Sequence, residues 1–94
     1  MTMNKIRLIE KVHENVNKIA NGHYSVVTLE LFTDYCNELD GYVLCKHELT
    51  GCYTTWAINV YNGSLCFGHY GMNLPNAYKD FSERIKAAYP ENEY

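Results

Sequence analysis

The sequence predicts an α+β fold: an N-terminal and a C-terminal helix packed on one face of an antiparallel sheet of three or four strands, in the order α-β-β-β-β-α. Three observations predict it. Apolar residues recur at spacings of three and four at both ends of the chain. β-Branched and aromatic runs fill the middle, and Thr50-Gly51 and Asn62-Gly63 separate those runs. A length of 94 residues suits one domain spanning 1–94.

Taken in order, Ile6, Ile9, Val12, Val16 and Ile19 form the apolar stripe of the first helix, and Asn21-Gly22 stops it. "HYSVVTLELFT" follows as a strand with Val27, Leu29 and Leu31 on one face. "DYCNELDG" is open between a strand running into a hairpin at Asp40-Gly41 and one helical turn ending there. Three strands then follow as a meander, "YVLCKHEL", "CYTTWAINVY" and "SLCFGHY". Asn73 and Pro75 open the last helix, Ala77, Phe81, Ile85 and Ala88 make its stripe, and Pro90 ends it.

Two-residue turns at Thr50-Gly51 and Asn62-Gly63 set a register in which Cys45 and His69 both stand opposite Trp56. One face then carries Val43, Cys45, His47, Leu49, Cys52, Trp56, Ile58, Val60, Leu65, Phe67 and His69 and takes the helices. The other carries Tyr42, Tyr53, Tyr61 and Tyr70 around Leu44, Ala57 and Gly68, and stays open. Tyrosine combines contact area with a polar tip, so an open face lined by four of them suits recognition.

Charge narrows the partner. Net charge is −3, and between Asn21 and Pro75 the only Lys or Arg is Lys46, against Glu30, Asp34, Glu38, Asp40 and Glu48. That balance argues against nucleic-acid phosphates and favours a protein with a basic surface, steered by Asp34, Glu38 and Asp40. The charged first twenty residues read as neither a signal peptide nor a membrane span. The four cysteines are then expected to be reduced, and the address cytoplasmic.

"CKHELTGC" raises the question of a metal. In the expected register Cys66 and His69 point to opposite faces, and Trp56 separates Cys45 from His69, so Cys45, His47 and Cys52 alone make an incomplete site. No metal, cofactor or catalytic residue is assigned, and no phosphate loop, nucleophile elbow or HExxH motif occurs. Two alternatives stand beside the protein-binding reading: a small zinc or redox protein using Cys45, His47 and Cys52, and a sheet that binds single-stranded nucleic acid.

The helix–strands–helix order resembles a double-stranded-RNA-binding domain in outline. "PNAYKDFSERIK", however, sets Lys79 beside Asp80 where that family has a basic cluster. In size, acidity and order of elements the chain also resembles small phage-encoded inhibitors, including anti-CRISPR proteins. That resemblance implies a non-enzymatic inhibitor of a basic, nucleic-acid-handling host protein, acting in the host cytoplasm. It rests on no residue motif, so it assigns no functional residues.

Overall fold

A computed structural model describes residues 4–88. Pro90 and the tail lie outside them. The chain forms α1 (Lys5–Lys18), a short 3₁₀ turn (Ile19–Gly22), β1 (Tyr24–Thr33), β2 (Leu39–His47), β3 (Tyr53–Ile58), β4 (Leu65–Met72) and α2 (Leu74–Ala88). The strands make one antiparallel sheet in the order β1-β2-β3-β4. The α+β class and the α-β-β-β-β-α order are as the sequence predicts.

The placement of the helices differs. Leu8, Val12 and Val16 of α1 pack on Val43, Cys45, Trp56, Ile58 and Val60, on one face of the sheet. Ala77 and Phe81 of α2 pack on Leu44, flanked by Tyr42, Tyr53, Met72 and Ile85, on the other. Val43 and Cys45 alternate with Tyr42 and Leu44 along β2, so the two helices sandwich the sheet. The face expected to be open is therefore the floor of a second core. Burial drives this, because leaving Leu44, Met72 and the α2 stripe in water would forgo roughly 25 cal/mol for each Å² of apolar surface.

The α1 stripe is also rotated from the expected one. Leu8, Val12 and Val16 recur every four residues and are buried, whereas Ile6 is 74% exposed. Asn4 caps this helix by accepting the Arg7 N–H at 2.9 Å. α2 begins as expected, with Asn73 Oδ1 accepting the Asn76 N–H at 2.9 Å.

"DYCNELDG" turns earlier than either expectation. Asp34 Oδ1 accepts the N–H groups of Cys36 (2.8 Å) and Glu38 (3.0 Å), Asn37 takes a left-handed φ of 62°, and Asp40 and Gly41 already lie in β2. Val27 does not share a face with Leu29 and Leu31; it is the extra residue of a bulge between Val26 and Thr28.

The next two hairpins are where expected, but both loops hold four residues rather than two. His47 N–H donates to Cys52 O (2.8 Å) and Gly51 N–H to His47 O (2.8 Å). Asn59 N–H donates to Ser64 O (2.8 Å) and Gly63 N–H to Asn59 O (2.7 Å). A two-residue type I′ turn needs positive φ at both central positions. Gly51 and Gly63 have it at 75°, and neither Thr50 nor Asn62 does. The pairing thus moves by two residues, and Cys45 stands opposite Thr54 rather than Trp56. A shift of two preserves the faces.

In β4 the faces are not preserved. Ala57 pairs with Cys66, Thr55 with His69 and Tyr53 with Met72, with a register shift at each step. Phe67 and Gly68 together oppose Trp56, and Tyr70 and Gly71 together oppose Thr54. Each extra residue reverses the alternation of those beyond it. His69 consequently lies on the α2 face beside Thr55, not on the α1 face beside Trp56. Cys66 and His69, expected on opposite faces, share one. Tyr70, expected on the open face with Tyr42 and Tyr53, instead reaches Trp56, whose Nε1–H donates to its Oη at 3.0 Å.

Candidate functional site

The tyrosines assigned to one recognition face fall into two groups. Tyr42 and Tyr53 are half-buried against the α2 core, and the Arg84 guanidinium lies 5.1 Å from the Tyr42 ring centroid. Tyr61 and Tyr70 are 59% and 62% exposed, the first in the β3–β4 loop and the second on the edge strand. Only the exposed pair is available to a partner.

The acidic residues come together. The β1–β2 and β3–β4 turns lie at the same end of the sheet, and between them is a cleft of about 430 Å³. Asp34, Asn37, Glu38 and Asp40 line one side, with Leu39, Val60 and Tyr61 supplying apolar wall. The Asp34 bonds that close the turn hold its carboxylate there. Burial pushes the Asp40 carboxyl above the usual range, the Gly41 N–H bond pulls it partly back, and the charge of Asp34 pushes it up again. The cleft is thus an acidic site whose carboxylates repel one another.

A prediction follows from the sign. A carboxyl raised on folding contributes stability below its unfolded pKa, and that contribution is lost as pH rises through the folded value. Asp40→Asn is expected to leave stability at pH 7 unchanged or raised by up to about 0.5 kcal/mol, with the difference vanishing in acid. Urea melts at two pH values measure it.

The second cluster joins α2 to the sheet. Thr55, fully buried, donates its hydroxyl to Asp80 Oδ2 (2.5 Å) and accepts from Arg84 Nη1 (2.9 Å). His69 Nδ1 lies 2.8 and 3.0 Å from the two Asp80 oxygens. Arg84 Nη2 donates to Phe67 O (2.5 Å). Burial alone would raise the Asp80 carboxyl, but the bonds from Thr55 and His69 and the charges of His69 and Arg84 outweigh it and hold the group below the usual range. An ionised carboxylate only accepts, so His69 Nδ1 carries the proton. A histidine, a carboxylate and a hydroxyl occur together here, but in the wrong order for nucleophilic catalysis. The hydroxyl bonds the carboxylate, whereas activation needs it on the histidine. The cluster is a clamp.

The cysteine–histidine set stays near one end of the sheet, with His47 N–H donating to Cys52 O at 2.8 Å, but it does not form a ligand group. Cys45 is fully buried beneath α1, where burial pushes its thiol up to about 12. A thiol that stays protonated is a poor ligand and a poor nucleophile. His47 Nδ1 accepts the N–H groups of Leu49 (3.3 Å) and Thr50 (3.4 Å), and its ring meets Tyr24 edge-on at 4.7 Å. That nitrogen is committed to the hairpin turn. Among the described residues, no group of three or more His, Cys, Asp or Glu is placed to hold a metal ion. No described helix is long and apolar enough to cross a membrane.

The sequence alternation puts Phe67 on the helix-covered face opposite Ile58, and the structure corrects this: Ile58 pairs with Leu65, and Phe67 takes φ 52° in the β4 bulge with 80% of its surface exposed. Strand alternation gives no signal for such a residue, because it assumes that no extra residue interrupts the ladder.

No known protein family, curated protein or solved structure matches the chain.

Proposed function

We propose that the chain is a non-enzymatic protein-binding module whose acidic cleft receives lysine or arginine side chains of a partner. Acting as an inhibitor of a basic, nucleic-acid-handling host protein is the role that fits such a module. The observation that carries the reading is the cleft itself. Asp34, Glu38 and Asp40 line the cleft together with Tyr61; burial first, and the charge of Asp34 after it, disfavour the Asp40 carboxylate, and a cation entering the cleft offsets both. The long stem of lysine or arginine suits the Leu39 and Val60 wall, and the charged head suits the carboxylates and the ring.

The experiment is a titration of the full chain with a lysine- and arginine-rich hexapeptide, followed by backbone NMR shifts. The shifts are expected at residues 34–40 and at Tyr61, and to weaken steeply between low salt and roughly 0.2 M. The double variant Asp34→Asn, Asp40→Asn should lose them, and charge reversal at Asp34, Glu38 and Asp40 should abolish binding and slow any residual association. Equal binding of an acidic hexapeptide, or shifts elsewhere on the surface, would sink the reading.

A further inference from the structure

The β4 bulge has a structural explanation that stops short of its side chain. It carries His69 to the α2 face, where Asp80 holds it. This requires a residue at 67 in the left-handed conformation, and nothing in it requires an aromatic ring. The first residue of a left-handed bulge is ordinarily glycine, because an L side chain there crowds its own carbonyl. Phe67 sits at φ 52° with its ring 80% exposed, so packing inside the chain does little to offset the strain. The backbone is nevertheless pinned. Phe67 O accepts from Arg84, which is bonded to Thr55 and stacked on Tyr42. Beside it the Tyr70 ring lies over Gly68, where an added Cβ would collide with Tyr70 Oη and Cζ, and Trp56 holds the Tyr70 hydroxyl.

We propose that Phe67 is an apolar anchor of this binding module, displayed on a rigid bulge for insertion into an apolar pocket of a protein partner. The inference rests on the protein-binding reading above and adds that the partner offers an apolar socket as well as basic groups. A strained backbone retained around an unpacked side chain marks a position kept for something outside the chain. A ring carried on a backbone already pinned by Arg84 has only its own side-chain rotamers to lose on binding, which suits it to an interface hot spot. Stacking on a nucleic-acid base is the other use of an exposed ring, but it needs cations along the phosphates. Here His69 is held by Asp80 and Arg84 is spent on Thr55 and Phe67 O, in a chain of net charge −3.

Phe67→Gly tests the proposal, because glycine keeps the bulge and removes the ring. The thermal midpoint is expected to rise; a lower midpoint would mean the ring serves the fold and would overturn the proposal. In parallel, a random-peptide phage library is panned against the immobilised full chain. The selected peptides are then measured on wild type, on Phe67→Gly and on the double variant Asp34→Asn, Asp40→Asn. The expected result is peptides carrying an apolar side chain whose affinity drops at least about tenfold on Phe67→Gly. Peptides that bind Phe67→Gly as well as wild type but lose the double variant would overturn this inference and leave the cleft reading standing. A library yielding no binder overturns it too. So does a single-stranded oligonucleotide whose binding depends on Phe67, since that assigns the ring to bases.

Discussion

Leu44→Ala is expected to lower the stability of the domain by about 3 kcal/mol and to move the urea midpoint accordingly. Leu44 is fully buried between the sheet and α2, and the second core has few buried members besides it, Ala77 and Phe81 among them. Truncating it removes the floor on which Phe81 rests and leaves a cavity that one helix on a flat sheet cannot readily close. A domain of this size has only about 5–10 kcal/mol in total, so the loss is a large fraction. The result also separates two architectures. Were α2 on the same face as α1, Leu44 would be a surface residue, and the same change would cost about 0.5 kcal/mol or less. Near-native stability of Leu44→Ala would therefore contradict the opposite-face placement of the helices.

That placement shows where the sequence stops being legible. Ala77, Phe81 and Ile85 identify the buried stripe of α2, but an apolar stripe fits either face of a sheet. Burial of Leu44 and Met72 rewards covering the second face, and polar partners fix α2 on it. Asp80 and Arg84 flank the stripe, and only the α2 face offers Thr55 and His69 to meet them. His69 is there because of the bulge, and Phe67 carries no mark of one, since left-handed residues are expected to be Gly or Asn. The turns behaved otherwise. Thr50-Gly51 and Asn62-Gly63 correctly located both hairpins, and the error in loop length was two residues, which leaves every face intact. The first of the two extra residues in β4 moved His69 to the other face, which two misjudged loops did not do to any residue. The cleft was legible in part: charge alone picked out Asp34, Glu38 and Asp40. Tyr61 was named for a place on the sheet and lies instead in the loop that meets them.

Asp80→Ala is expected to cost about 2 kcal/mol and to loosen α2 from the sheet. The change strands three groups at once. The buried Thr55 hydroxyl loses its acceptor, Arg84 loses the anion beside it, and the Nδ1–H of His69 loses its partner. Asp80→Asn should cost less, because an amide oxygen can still accept from Thr55. The two variants also differ from wild type in how stability depends on pH. The Asp80 carboxyl is held below its usual value near 3.8, so its contribution is complete above that value and is lost as pH falls through the lower folded one. Wild type should therefore lose stability relative to Asp80→Asn only at and below about pH 4, where the gap between the two closes. Urea melts of both proteins between pH 7 and pH 3 supply the comparison. A gap that stayed constant into acid would show that Asp80 acts through packing rather than charge. The same series read at Phe67 by NMR tests the reach of the clamp. Arg84 binds both Thr55 beside Asp80 and Phe67 O, so the Phe67 and Gly68 amide signals are expected to move with the protonation of Asp80.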